Sequence, residues 1–117
     1  MKDFDVFYND EKTASVRICP DRVYITRYVL HPVKQIFPKD EMPRFEFGEV
    51  LRNRCWDPHR DNIDKYLEKM GLDSFDVYKI CEKTHGVRIG EPIWFRFEGE
   101  TITAKDVLVE RTFDERS

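Results

Sequence analysis

The spacing of apolar residues changes twice along the chain, and these changes constrain the fold more than any other feature. Apolar and polar residues alternate over residues 4–8 and 14–18, and strand-forming side chains continue over residues 23–29; this is typical of strands with one buried face. Between residues 46 and 84 the spacing becomes three and four, as in amphipathic helices. Alternation returns over residues 93–97. The sequence therefore predicts an α+β fold, because strand and helix patterns occupy separate segments.

The chain length favours one domain. With 117 residues, 14% of them aromatic, the chain can build one modest core from few but large side chains. We expect a single domain over residues 1–117, whose C-terminal strand returns to the N-terminal sheet. Its segments are an antiparallel β-meander over about residues 1–30, a three-helix segment over 44–86, a C-terminal strand and short helix over 92–109, and a frayed tail over 110–117.

Capping residues predict where the three central helices begin and end. The first helix is expected over residues 46–55, where apolar spacing becomes helical. Asp57 is a suitable N-cap for the second helix, and Gly71 stands where a left-handed C-terminal cap belongs. Asp73 and Asp76 have the spacing of a capping box, which predicts that the third helix starts there.

Two further segments have short local patterns. Prolines at positions 32, 38 and 43 interrupt the chain before the first helix, so we expect an exposed connection there, in which residues 33–37 could form a short edge strand. Thr103 and Asp106 repeat the spacing of a capping box, which predicts one turn of helix after the last strand.

The charge balance disfavours wholesale binding to a nucleic-acid backbone. The chain has 20 basic and 23 acidic residues and a net charge of −3, so it lacks a basic footprint. The same near balance is unlike an acidic mimic of DNA, which needs a large excess of carboxylates. Nucleic acid is therefore a possible but disfavoured partner.

Targeting signals and cysteine usage predict a cytoplasmic protein. The first residues lack an apolar signal segment, and no window approaches the roughly 18 apolar residues of a membrane span. Cys19, Cys55 and Cys81 form an odd set without framework spacing, which fits reduced thiols. We expect no membrane partner.

A zinc site is the most specific chemical alternative. Cys55, His59, Cys81 and His85 form two Cys-x-x-x-His pairs, a donor set that tetrahedral zinc accepts. That spacing brings two ligands together only within a continuous helix, whereas Pro58 is expected to break the chain between Cys55 and His59. We favour no metal and no cofactor, with the cysteines as small core residues and His85 at a helix C-terminus.

No pattern in the sequence favours an enzyme. The chain lacks G-x-S-x-G, a Walker loop, H-E-x-x-H and a dinucleotide fingerprint. Cys55 and Cys81 are predicted near helix ends whose dipole does not favour a thiolate. We therefore expect a non-catalytic protein.

Aromatic and basic residues are the candidates for binding. Trp94 alternates with Phe95 and Phe97, so one aromatic side chain of this strand must face away from the buried side of the sheet. If no helix covers that side, the side chain forms a partner-binding patch. The alternative is that helices cover one face of the sheet and long Lys and Arg side chains cover the other. A cluster of arginines near the first helix could contact phosphates, although neighbouring acidic residues also fit a solvated face. The predicted partner-binding residues are Trp94, Tyr78, Arg52, Arg54, Arg60 and His85.

The middle of the chain also carries a family resemblance. Its residues are Arg54, Pro58, Arg60, Asn62, Leu67, Gly71, Leu72, Asp76, Ile80, Thr84, Gly86 and Trp94. This pattern of caps, apolar positions and a late aromatic strand resembles the amino-terminal accessory region that precedes the kinase domain in HipA-like proteins of Firmicutes. No catalytic Asp-Asn pair with a phosphate loop follows residue 97, so the resemblance does not imply kinase activity.

What the resemblance implies is a protein-binding module. It would act in a toxin–antitoxin, phage or mobile-element context and regulate or inhibit a larger enzyme, such as a separately encoded kinase. An anti-CRISPR-type inhibitor of a defence nuclease is one alternative. A small nucleic-acid-binding protein that uses Arg52, Arg54 and Arg60 is the other.

Overall fold

A five-stranded antiparallel sheet organises the domain. In a computed structural model, the described residues are 1–55, 59, 61–88 and 90–108. The strands are β1 (Phe4–Tyr8), β2 (Glu11–Ile18), β3 (Arg22–Arg27), β4 (Glu41–Pro43) and β5 (Ile93–Phe97). Their order is β4-β3-β2-β1-β5, and each neighbouring pair is antiparallel. The predicted N-terminal meander and the return of the C-terminal strand to the sheet are confirmed, as is the α+β class.

The register places the main core on one face of the sheet, here called the core face. Val6 of β1 lies opposite Ala14 of β2 and Phe95 of β5, and Val16 lies opposite Ile25 of β3. All five are buried, and they belong to one core cluster. Since successive side chains of a strand point to opposite faces, the residues between them lie on the other side, here called the open face.

Two helices cover the core face. The helices are α1 (Arg44–Arg52), α2 (Ile63–Lys69), α3 (Val77–Thr84) and α4 (104–108). Phe47 and Leu51 of α1 and Cys81 of α3 are buried in the main core. Among the described residues, no helix combines the length and apolar character needed to cross a membrane.

The predicted bounds of α1 are wrong, and residues 33–37 do not form the edge strand that the sequence left possible. Helix α1 begins at Arg44 instead of residue 46, because Pro43 has the extended backbone of an N-cap and the helix follows at once. Residues 33–37 form no strand. Lys34 and Gln35 donate their backbone N–H groups to His31 O, so this segment turns, and β4 takes the edge of the sheet.

The caps of α2 and α3 are partly as predicted. Gly71 ends α2 with a left-handed φ of +76°, which is confirmed, whereas the expected N-cap Asp57 lies outside the described residues. Helix α3 starts later than the predicted capping box from Asp73 to Asp76. Asp76 itself is the N-cap, because its carboxylate accepts a hydrogen bond from Lys79 N at 3.1 Å.

A smaller core lies on the open face beneath α4. It consists of Phe7, Trp94, Ala104 and Val107. Thr103 N donates to Asp106 Oδ2 at 3.0 Å, so the predicted capping box at the start of α4 is confirmed. The predicted frayed tail over residues 110–117 lies outside the described residues.

Candidate functional site

A polar ladder crosses the part of the open face that lies beyond the smaller core. Asp5 of β1 lies opposite Arg96 of β5 and Ser15 of β2, and Ser15 lies opposite Thr26 of β3. Antiparallel neighbours of this kind are close enough to interact through their side chains. The ladder borders an open groove of about 450 Å³.

A chain of hydrogen bonds ties Tyr28 to this ladder. Ser15 Oγ donates to Asp5 Oδ1 at 2.7 Å, and the Tyr28 hydroxyl lies 3.0 Å from Ser15 Oγ. Because the single hydroxyl proton of Ser15 is directed to the carboxylate, Tyr28 must donate its own proton to Ser15. The Tyr28 ring is thus oriented while 53% of the residue stays exposed.

Cations lie against the aromatic rings of the same face. Lys12 Nζ is 5.7 Å from the centroid of the Tyr28 ring, and the guanidinium of Arg17 is 5.6 Å from that of Tyr24. Both distances lie within the range of cation–π attraction. Tyr24 is 39% exposed. Tyr24 and Tyr28, with Lys12, Arg17 and the polar ladder, are called the tyrosine face below.

The loop between β3 and β4 presents apolar side chains near Tyr28 in the sequence. Leu30 and Val33 are exposed. The loop is nonetheless anchored, because the Gln35 side-chain amide donates to Thr13 O at 2.8 Å and also to Val29 O. Two exposed aliphatic side chains therefore lie on a loop that is fixed to β2.

Trp94 does not lie on an exposed patch, so its assignment to a binding surface is wrong and the alternative, a covered face, holds. Only 1% of the residue is exposed. Its ring stacks on Phe7 with the centroids 4.8 Å apart, and its indole N–H donates to Asn9 O at 2.6 Å. The alternation correctly placed an aromatic residue on the second face, but α4 covers it.

Arg54 is also buried, which contradicts the predicted basic surface cluster. Its Nε donates to Gly86 O at 2.6 Å, and its Nη2 pairs with Glu91. Burial lowers the pKa of Arg54, while the Glu91 carboxylate raises it. Arg52 is exposed, whereas Arg60 lies outside the described residues. Arg54 therefore joins the end of α1 to the segment before β5 and is not part of a phosphate-binding surface.

Tyr78 and His85 are half-buried and hold structural contacts. The Tyr78 ring lies 6.3 Å from that of Phe47, and the guanidinium of Arg44 lies 5.4 Å from the Tyr78 centroid. His85 Nε2 is 2.9 Å from a carboxylate oxygen of Glu100. Their assignment to a binding surface stays a prediction.

The structure brings the two helical cysteines together without the histidines. Cys55 Sγ lies 3.9 Å from Cys81 Sγ, whereas His85 contacts Glu100 and His59 is exposed. In the described part of the chain, no group of three or more His, Cys, Asp or Glu residues is placed to hold a metal ion.

A hydrogen bond perturbs both thiols. The bond from Cys81 lowers the pKa of Cys55, and the positive charges of Arg54 and Arg52 lower it further, against the effect of burial. The same hydrogen bond and burial raise the pKa of Cys81. Cys55 is therefore the thiol of the pair that ionises first.

Comparison with known proteins gives no family assignment. No family model matches the chain, and no curated protein or solved structure matches it significantly. Each candidate site is therefore inferred from the positions of its own residues.

Sequence reasoning overlooked the tyrosine face, although a signal was present. Residues 24, 26 and 28 alternate with the buried Val23 and Ile25, so they share the face opposite the core. Two tyrosines at such positions, beside polar residues of neighbouring strands, predict an exposed aromatic surface. The apolar positions alone identify only the buried face of β3 and not the exposed one.

Proposed function

We propose that this domain is a non-catalytic protein-binding module and that the tyrosine face is its binding surface. The observation that carries the proposal is the pair of exposed, oriented rings, Tyr24 against Arg17 and Tyr28 against Lys12 and Ser15. Tyrosine and arginine are enriched at the energetic centres of protein interfaces. An oriented ring also loses little conformational freedom on binding.

The distribution of charge favours a protein partner over a polyanion. The ladder carries Asp5 beside Arg96, and Tyr24 lies opposite Glu41, so charges of both signs border the two rings. Mixed charges select a complementary surface, whereas a phosphate backbone requires a predominance of cations. The exposed Leu30 and Val33 also favour a protein, because aliphatic groups gain free energy when a partner buries them.

Single-stranded nucleic acid is the second candidate. Tyrosines on a sheet beside basic side chains form the type of platform on which unpaired bases stack. Tyr24 with Arg17 and Tyr28 with Lys12 fit that description. This candidate predicts a steep loss of affinity with salt, whereas a protein complex at a surface of mixed charge should respond weakly.

We infer the biological setting from the family resemblance. We place the domain in the cytoplasm as a regulator or inhibitor of a larger enzyme in a toxin–antitoxin, phage or mobile-element system. The resemblance to the accessory region of HipA-like proteins supports this setting. A separately encoded kinase or a host defence nuclease would be the bound enzyme.

Alanine variants test the proposal. The tagged chain is used to capture proteins from the organism that encodes it, in parallel with Tyr24→Ala/Tyr28→Ala and with Phe45→Ala. Phe45 is a matched control, because it is an exposed aromatic residue on α1. Each tyrosine at an interface centre contributes about 2 kcal/mol, so the double variant should bind its partner several hundredfold more weakly, whereas Phe45→Ala should bind normally.

Two results would count against the proposal. Equal capture by the wild type and the tyrosine variant would exclude this surface. Capture that disappears after nuclease treatment would favour the nucleic-acid candidate.

A further inference from the structure

A pair of thiols, Cys55 and Cys81, lies outside the tyrosine face. Cys55 follows α1 and is half-buried, whereas Cys81 lies within α3 and is fully buried. Their sulfur atoms are 3.9 Å apart, and Leu51 O lies 3.5 Å from Cys55 Sγ and 3.8 Å from Cys81 Sγ. The two thiols thus lie side by side next to one backbone carbonyl.

The surroundings of the pair give its members different roles. Cys55 is the accessible thiol, and the arginines at positions 52 and 54 favour its ionised form. Cys81 is shielded from solvent, so an oxidant reaches Cys55 first. A thiol that is shielded from solvent but in contact with its neighbour is suited to react with that neighbour.

We infer that Cys55 and Cys81 form a thiol–disulfide switch that responds to peroxides. The Cys55 thiolate attacks one oxygen of hydrogen peroxide, the O–O bond breaks, and Cys55 becomes a sulfenic acid while the released hydroxide takes up a proton to give water. Cys81 Sγ then attacks Cys55 Sγ. The S–O bond breaks, the S–S bond forms, and the leaving hydroxide takes the Cys81 proton as a second water. The two cysteines lose two electrons in total, and the peroxide gains them.

The sulfur atoms need only a small approach for this reaction. A disulfide bond is about 2.05 Å long, so the 3.9 Å separation of the sulfur atoms must shorten by about 1.9 Å. The bond would join the end of α1 to α3 across 26 positions of the chain, including α2. Such a link reduces the number of conformations open to the unfolded chain, and it fixes α1 and α3, the two helices that cover the core face, relative to each other.

Mass spectrometry of the full chain tests the switch. The folded protein is treated with hydrogen peroxide, blocked with N-ethylmaleimide, digested and mapped. We expect the intact chain to lose about 2 Da on oxidation, before it is blocked. The peptide map should contain a disulfide-linked Cys55–Cys81 pair, and N-ethylmaleimide should label only Cys19. The third cysteine supplies the matched control, because Cys19→Ser should form the same disulfide, whereas Cys55→Ser should form none.

A second variant separates the two steps. In Cys81→Ala, the sulfenic acid on Cys55 cannot be resolved, so dimedone should trap it there. If this variant does not fold, the peptide map of the unaltered chain still decides the question. Three intact thiols after peroxide treatment, or disulfides that involve Cys19 as often as Cys81, would overturn the inference. Denatured protein provides the reference for unselective pairing.

Discussion

Replacing Gly86 by alanine tests how α3 is joined to β5. Gly86 follows α3 with a left-handed φ of +64°, and its O accepts the hydrogen bond from Arg54. A Cβ at this position would lie within 2.7 Å of three atoms of the Phe95 ring. That ring is fully buried and stacks on Phe4 with the centroids 4.4 Å apart, so it has little room to move.

The size of the effect follows from two costs. The left-handed backbone costs alanine about 1 kcal/mol relative to glycine. Overpacking against the Phe95 ring adds about 1–3 kcal/mol, so Gly86→Ala should lower the free energy of unfolding by about 2–4 kcal/mol. Gly71 is the matched control, because its φ is +76° but nothing lies within 4 Å of a Cβ placed there. Gly71→Ala should therefore lose only about 1 kcal/mol.

Urea denaturation followed by circular dichroism measures both variants. With an m-value of about 2 kcal/mol/M, the midpoint should fall by about 1–2 M in Gly86→Ala and by about 0.5 M in Gly71→Ala. Equal shifts in the two variants would refute the reasoning, because they would mean that the close approach of Gly86 to Phe95 contributes nothing.

Three further predictions concern the buried residues and the thiol pair. Arg54→Met should lower the free energy of unfolding in urea by about 2–3 kcal/mol, because it removes the buried hydrogen bond to Gly86 O and the ion pair with Glu91. Adding Glu91→Gln should recover part of that loss, and no loss in the single variant would contradict the role of the ion pair. Trp94→Ala should cost about 3–5 kcal/mol in the same assay, and an unchanged unfolding midpoint would contradict its place in the smaller core. Alkylation of Cys55 by iodoacetamide should begin at a lower pH than for an ordinary thiol, because a lowered pKa means that the thiolate forms at a lower pH. Cys81→Ala should shift the pH profile of alkylation to higher pH, and identical profiles would exclude the hydrogen bond as the cause.

Local patterns predicted most of the fold. Alternation over residues 4–29 and 93–97 identified four of the five strands, because one face of each is packed on the core. Gly71 marked the end of α2, because a left-handed cap has a strong residue preference. The start of α3 was missed, since both Asp73 and Asp76 are suitable caps and the local sequence does not choose between them.

The site was harder to predict, because distant residues decide which side chains are exposed. Arg54 is buried through Gly86 and Glu91, which lie 32 and 37 positions away. Trp94 is covered by α4, whose first residue, Ala104, donates its backbone N–H to the Asp10 side chain, 94 positions away in the sequence. The indole N–H of Trp94 donates to Asn9 O, 85 positions away. A linear pattern indicates on which face a residue lies, but not what covers that face.

Site-specific photocrosslinking tests the central claim most directly. A photoreactive amino acid is placed at Thr26, which is exposed between the two tyrosines of the tyrosine face, and in a second protein at Glu82, which is exposed on α3. The cells that express the chain are irradiated. We expect one discrete protein to be crosslinked to position 26, and this crosslink should be lost in the Tyr24→Ala/Tyr28→Ala variant. No protein should be crosslinked to position 82. Adducts from position 82 alone, or a nucleic-acid adduct from position 26, would contradict the claim that this face binds a protein.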